Sequence, residues 1–428
     1  MNPAGAATGE SSNPLIQQST NPKHMNTTTP QPQQFITPVL PVRLFASAKS
    51  WIEGEAVRQL YATTKLDGVR RAVGFPDLHP GKGSPVGAAF VTDGVIYPHL
   101  IGGDIGCGMA LFKTDLLQRN VKLDRIACQR FDLEHPWDES VTDFLAAREL
   151  ESTEFDSALG TIGGGNHFAE LQTVEKVLDA GEFKKLGLAK QQLVVLVHSG
   201  SRGLGETILR AHVDQHFGDG MEADSFAATE YLRGHDIAVR WAKANRELIA
   251  QRFATALGTE AEHLWDGCHN SIMRVESHAV VGQCFQPVRP QLDRQDACPT
   301  SWLHRKGAVA ADSEFIVIPG SRGTLSYIVK PTGDGESHAW SLAHGAGRKW
   351  ARSDARQRMR ERFSVSELAQ TPLGGRVVCE QRDLLYEEAP AAYKNIEAVI
   401  ADLVDAKLVS VIATLRPLLT YKTRKVRR

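Results

Sequence analysis

No apolar run in the sequence approaches the roughly 18 uninterrupted residues that a bilayer-spanning helix needs, so no segment reads as a membrane span. The first 34 residues are polar and lack the basic stretch followed by an apolar one that marks a signal peptide. Cysteine is sparse and irregular: Cys107, Cys128, Cys268, Cys284, Cys298 and Cys379 are scattered over 428 residues without a CxxC pair. No disulfide framework is expected, and a reducing, cytoplasmic setting is. Net charge is nearly absent too, with 49 Lys+Arg against 50 Asp+Glu. A chain held on a polyanion by its global field would be strongly basic; any nucleic-acid contact here must be local. Also missing are the phosphate loop GxxxxGK[ST] and a GxGxxG following a strand, so a familiar NTPase or dinucleotide fold is not supported.

What is present divides into three stretches. Residues 1–38 are rich in Asn, Thr, Pro, Gln and Ser without apolar periodicity, and nothing there offsets the entropy of ordering; a disordered leader is expected. No linker interrupts residues 39–422, which read as one large catalytic domain, and residues 423–428 form a basic tail. Val86–Val91 and Val95–Tyr97 around Thr92-Asp93-Gly94 predict a hairpin. Leu193–Val197, Glu314–Ile318 and Leu408–Leu415 predict strands. Asp224 to Leu257 predicts a long helix, and the spacing of Ile396, Val399, Ile400, Leu403 and Val404 predicts another over Tyr393–Val404. Strands and helices do not alternate cleanly, so the expected class is α+β rather than a doubly wound sheet.

The 37 glycines cluster beside groups that can bind ligands: Gly102 to Gly108 enclose Asp104 and Cys107, Gly163-Gly164-Gly165 precede Asn166-His167, and His344 precedes Gly345-Ala346-Gly347. Glycine lets backbone approach a ligand closely, although turn chemistry accounts for any one cluster alone. Asp104 and Cys107, three apart, could aim at one point. Thiolate with imidazole suits zinc-like ions, and a carboxylate widens the choice toward Mn or Mg. His167, His198 and His269 follow strand-like or glycine-rich stretches; each taken alone is more often a hydrogen-bonded structural histidine than a ligand.

Read together, these segments resemble the RtcB family of tRNA-splicing, 3′-phosphate RNA ligases. The resemblance is carried by Phe75-Pro76-Asp77-Leu78-His79, Gly102 to Met109, Gly165-Asn166-His167-Phe168-Ala169-Glu170 and Val197-His198-Ser199-Gly200-Ser201-Arg202-Gly203. It continues through Cys268-His269-Asn270, His304-Arg305-Lys306-Gly307-Ala308, Pro319-Gly320-Ser321, His344-Gly345-Ala346-Gly347-Arg348 and Glu388 to Lys394. It implies a single mixed α+β domain of the RtcB-like fold, with metal and nucleotide sites in a central cleft. Asp104, Cys107, His167, His198 and His269 would hold two Mn²⁺ ions, with Cys107 the bridge. His344 would be the nucleophile that takes GMP from GTP. Asn166, His167, Phe168, Ala169, Glu170, His269, Asn270, Pro319, Gly320, Ser321, Arg322, Ser326, Gly345, Ala346, Gly347, Tyr393 and Lys422 would line the nucleotide, with Glu170 suited to the hydrogen-bond donors on guanine's edge.

The implied reaction joins an RNA end bearing a 2′,3′-cyclic phosphate or 3′-phosphate to a 5′-hydroxyl end. The implied setting is tRNA splicing or RNA repair; a monomer is the default expectation, which the resemblance does not decide. Lys82, Arg202, Arg305, Lys306, Arg348, Lys349 and Arg352 are the expected RNA contacts. Three departures from the family pattern bear on this: Arg322 stands where a smaller or apolar residue is usual, Ala308-Val309-Ala310-Ala311 differs from the usual continuation, and six residues follow Lys422. Two competing readings are a metal-dependent phosphodiesterase or nucleotide hydrolase, which would not need His344, and a non-catalytic RNA-binding module, which would have lost the nucleophile or the metal positions.

Overall fold

The computed structural model describes residues 42–275 and 300–424; the leader expected at 1–38 and residues 425–428 of the tail lie outside them. The apolar run Leu193–Val197 sits in the strand Gln192–Ser199, where successive side chains face opposite ways. Leu193, Val195 and Val197 enter one buried cluster, and Val194 and Leu196 enter another. A strand covered on both faces has no polar side to alternate with, hence the unbroken run. Its neighbour Gly108–Leu117 divides likewise, Ala110 and Phe112 to one side, Met109 and Leu111 to the other.

These two strands are central in an eight-stranded sheet. Seven strands run in the order Ile316–Ile318, Ser326–Pro331, Val409–Thr423, Phe168–Val177, Gln192–Ser199, Gly108–Leu117, Glu262–Cys268, every pair antiparallel. Arg376–Cys379 adds in parallel against the far half of Val409–Thr423. The helix Phe226–Leu257 covers one face, placing Ile249, Ala250 and Phe253 in the cluster that holds Val195 and Val197. Each large side chain so buried contributes roughly 1.5–3 kcal/mol by leaving water. The helix starts where Ser225 Oγ accepts the Ala228 N–H and ends at Gly258. A five-stranded sheet, Val42–Leu44, Val69–His79, Val86–Asp93, Ser301–Lys306, Asn270–Val275, supplies the second layer, antiparallel except for its first pair. Strands dominated by antiparallel pairing, with helices segregated from them, make this the expected α+β class.

Three local expectations are corrected. Val95–Ile96 does not form a hairpin with Val86–Asp93; it pairs with Met221–Glu222, while Thr92 Oγ1 closes the Thr92–Val95 turn on the Val95 carbonyl. The strand expected at Leu408–Leu415 is twice as long, Val409–Thr423, because register shifts absorb Pro417. Tyr393 lies outside the helix, which begins at Ile396 with Asn395 as its cap. Among the described residues no helix is long and apolar enough to cross a membrane.

Candidate active site

Sheet register brings the candidate ligands together. Phe168 is paired with His198, His198 with Met109, and Gly108 with Cys268. His167 immediately precedes the first of these strands, Cys107 precedes the third, and His269 follows the fourth, so with His198 they form one row across the sheet end. Asp104 joins them through a turn in which the Cys107 N–H donates to the Asp104 carbonyl at 3.1 Å.

The row is close enough to hold ions. Cys107 Sγ lies 3.2 Å from His198 Nε2 and 3.6 Å from His167 Nε2, and His167 Nε2 lies 3.1 Å from Asp104 Oδ2. Among the described residues, two sets of donor atoms each gather within 4.8 Å: Asp104, Cys107 and His167, and Cys107, His198 and His269. Cys107 belongs to both. Nδ1 of His167 faces the Ile162 carbonyl at 3.1 Å, and Nδ1 of His198 faces the Asn166 carbonyl at 3.3 Å. A backbone acceptor at Nδ1 fixes the tautomer that leaves the Nε2 lone pair for a metal. A Cβ at Gly200 would come 2.0 Å from Asp104 Oδ1 and displace that carboxylate from the row.

Electrostatics fit the same use. Burial opposes ionisation of Asp104, but the His167 imidazole, its hydrogen bond, that of Cys107 and the Arg202 charge outweigh it and hold the carboxyl below its ordinary range. Burial and then the neighbouring imidazoles keep His198 and His269 well below the ordinary histidine value, hence neutral. Burial and the Asp104 charge push the Cys107 thiol well up, so it keeps its proton unless a cation placed there displaces it. The long helix holds the row in place: Arg246, fully buried, donates to the carbonyls of Gly106 and Ser199 at 2.7 and 2.8 Å while both its other nitrogens grip Asp266. Asn245 reaches Ser199 Oγ and the Gly200 carbonyl.

His344 stands beside this row, its ring centre 4.7 Å from that of His269. It follows the strand Ser341–Ala343, which pairs with Ala308–Ala310, so the segment noted as departing from the family pattern supports the strand that leads into His344. The His344 N–H donates to Asp77 Oδ2 at 3.1 Å, and Nδ1 lies 2.6 Å from the same oxygen. Asp77 is fully buried. Gly347 packs on it with φ +71°, and a Cβ there would stand 2.2 Å from the Asp77 carbonyl. With Nδ1 against a buried carboxylate, Nε2 is the ring nitrogen turned away from it.

A cavity of about 800 Å³ opens over His344, Cys107, His198 and His269, a size suited to a nucleotide. Asn166, Phe168, Glu170, Asn270, Pro319, Gly320, Ser321, Arg322, Gly345, Ala346, Gly347, Tyr393 and Lys422 all line it. Three expected residues do not: Ala169 is buried among core side chains, Ser326 is buried with its hydroxyl accepting from Gln172 at 3.0 Å, and His167 lies apart from this lining. His167 borders a smaller opening of about 260 Å³ instead, with Asp104, Arg202 and Glu206. Asn270 lines the cavity but is already committed, donating to the Asp104 carbonyl and accepting from the Gly307 N–H. Glu170 accepts from Thr420 and Gln172, and burial pushes its carboxyl up to about 7 against the lowering effect of those bonds and of Lys422 and Arg322. Lys422 is held 3.5 Å from Glu388, inside the cavity wall despite the residues that follow it. Arg322 donates to the Leu385 carbonyl.

Sequence reasoning passed over Asp77, although it quoted the motif that contains it, and Glu388. The latter carboxylate joins Arg348 (3.0 Å), Tyr393 and Lys422 into one network. A fully apolar setting around Asp77 in Phe75–Leu78 was the available signal, since a buried carboxylate needs a partner. Two expected RNA contacts are corrected. Arg305 is buried, donating to Ser341 Oγ and the Trp340 carbonyl. Lys306 is buried, donating to Ser84 Oγ and to the carbonyls of Lys82 and His99. Both are internal braces of the five-stranded sheet.

A family model described as tRNA-splicing ligase RtcB matches residues 59–135 and 140–423. The chain belongs to the RtcB family. It is 42% identical over 377 residues to RNA-splicing ligase RtcB2 of Escherichia coli strain ATCC 25922, covering 88% of this chain and 94% of that one. It is 29% identical over 422 residues to RNA-splicing ligase RtcB of Mycobacterium tuberculosis, covering 82% and 96%. With RNA-splicing ligase RtcB of Escherichia coli K12 the figures are 29% over 439 residues, 88% and 97%. The matched residues include every strand of both sheets except Val42–Leu44, and every side chain of the site described above.

Proposed function

We propose that this RtcB-family chain is a GTP-dependent RNA ligase that joins a 2′,3′-cyclic phosphate or 3′-phosphate end to a 5′-hydroxyl end. The observation that carries the reading is the juxtaposition, in one cavity, of a two-ion donor set sharing Cys107 and a histidine backed by a buried aspartate. A phosphodiesterase would use the donor set but has no need of His344 against Asp77. Asp104, Cys107, His167, His198 and His269 would hold two Mn²⁺ ions, which supply positive charge to offset that of the phosphates.

His344 Nε2 attacks the α-phosphorus of GTP, a nitrogen–phosphorus bond forms, and pyrophosphate departs. Asp77, against Nδ1, stabilises the charge that develops on the ring. Glu170 offers its carboxylate to the donors on guanine's edge, and Tyr393, Lys422 and Arg348, organised by Glu388, bound the same cavity. Water first opens a cyclic phosphate to the 3′-phosphate. An oxygen of that phosphate then takes GMP from His344, giving a phosphoanhydride, and the 5′-hydroxyl oxygen attacks the RNA phosphorus, releasing GMP. Activation is needed because a phosphate monoester dianion repels nucleophiles and lacks a leaving group. The RNAs bearing such ends include cleaved tRNA halves and broken tRNA or rRNA.

The test is ligation of two labelled oligonucleotides, one ending in a 2′,3′-cyclic phosphate and one with a 5′-hydroxyl, with GTP and MnCl₂. A joined product formed by the wild type and not by His344→Ala is expected. Cleavage of the cyclic phosphate without joining, equal in both, would replace the ligase with the hydrolase.

A further inference from the structure

Two tryptophans line the cavity above His344: Trp51, ahead of the Gly54–Thr63 helix, and Trp350, six residues beyond His344. Trp51 is 46% exposed, an unusual placement for the largest apolar side chain. Trp350 packs on one side against the cluster of Met359, Leu368 and Leu385. No step of the phosphate chemistry uses an indole.

The charge around Trp350 is distinctive. The helix Arg352–Arg362 carries five arginines. Arg356 and Arg360 are spent on Asp383, and Arg352 donates to Asn166 Oδ1. Arg358 instead places its guanidinium 5.1 Å from the centre of the Trp350 ring and lines the cavity. Lys349 and Arg352 line the same cavity, with Asp354 the acidic group in this segment and Glu53, Asp104, Glu170 and Glu388 elsewhere in the lining. In a chain of net charge −1 this is a local basic surface with aromatic faces, the combination that binds single-stranded nucleic acid.

We propose that Trp350 with Arg358, and Trp51, form a stacking site for unpaired bases of the RNA ends being joined; this rests on the ligase reading. A terminal nucleotide whose 3′-phosphate reaches His344 has to put its base against the wall of this cavity. Every base has a π face, so stacking holds an end without reading its sequence. Arg358 pins one indole and offers charge to the adjoining phosphate.

The experiment is equilibrium binding of a 3′-phosphorylated single-stranded RNA, read by tryptophan fluorescence and by filter retention. Wild type, Trp51→Ala, Trp350→Ala and Trp350→Phe are compared on that RNA and on one whose last two nucleotides lack bases. Stacking of one base on an aromatic ring predicts binding roughly 5- to 100-fold weaker in each alanine variant, largely restored in Trp350→Phe. With the abasic RNA, wild type falls to the level of the alanine variants. Equal affinity of wild type and both alanine variants for the RNA with bases overturns the site. So does a result in which Trp350→Ala raises only the GTP concentration needed to label His344, since the stacked base is then guanine. Labelling of wild-type His344 by GTP, run in parallel, separates the two readings: base-dependent binding without labelling retires the ligase and leaves a single-strand binding surface.

Discussion

Asp77→Asn isolates the part played by the buried carboxylate behind His344. Attack by Nε2 on phosphorus leaves a positive charge on the imidazole, and Asp77 Oδ2 lies 2.6 Å from Nδ1. At an effective dielectric of about 20, opposite unit charges at that separation attract by about 6 kcal/mol. The ring shares its charge between two nitrogens, so about half of that, roughly 3 kcal/mol, is lost when the carboxylate becomes a neutral amide. This corresponds to a rate about 10²-fold lower. A wrong tautomer adds to the loss, as in serine-protease triads, where the aspartate-to-asparagine change costs about 10⁴. The assay is the single-turnover rate of acid-labile label transfer from α-labelled GTP to the metal-loaded protein, with circular dichroism confirming that the near-isosteric variant is folded. A labelling rate within about threefold of wild type in a folded Asp77→Asn protein would refute the role given to Asp77.

Three further outcomes follow from the geometry. Cys107 belongs to both donor sets, so Cys107→Ala should remove both ions together, read as bound manganese per chain after gel filtration; retention of one ion would show that the sets are independent. Burial raises the Glu170 pKa from 4.5 to about 7, so the folded chain holds a proton that the unfolded chain releases. That contribution is present below about pH 4.5 and lost as pH rises toward 7, up to ~3 kcal/mol; Glu170→Gln should flatten the fall in urea midpoint across that window, and an unchanged slope would contradict it. Arg246→Met leaves Asp266, 10% exposed, without its buried partner, which should cost about 3–5 kcal/mol in urea unfolding.

Local pattern told much of the fold in advance, and long-range pairing told the rest. The helix over 226–257 is legible because its run of Ala, Leu, Arg and Glu is local and unbroken from Asp224 to Leu257. The Thr92-Asp93-Gly94 turn is equally local, but the partner of Val95–Ile96 lies at Met221–Glu222, and no property of the turn specifies a strand so far along the chain. The ligand row shows the same division. Asp104, Cys107 and the histidines are conspicuous residue types beside glycines, yet their meeting depends on the order of four strands. Asp77 was hidden for the opposite reason: its chemistry comes from what covers it, and it reads as an ordinary strand residue until His344 is set against it. Arg305 and Lys306 misled because a cation in a motif reads as a phosphate contact, whereas here each satisfies buried carbonyl and hydroxyl oxygens.

The most direct measurement is mass spectrometry of the metal-loaded chain after incubation with GTP alone, with peptide mapping of any adduct. A guanylate on His344, absent from His344→Ala and from protein stripped of metal, is the predicted result. A folded, metal-loaded chain that carries no adduct, or carries it on another residue, would contradict the assignment of His344 as the nucleophile.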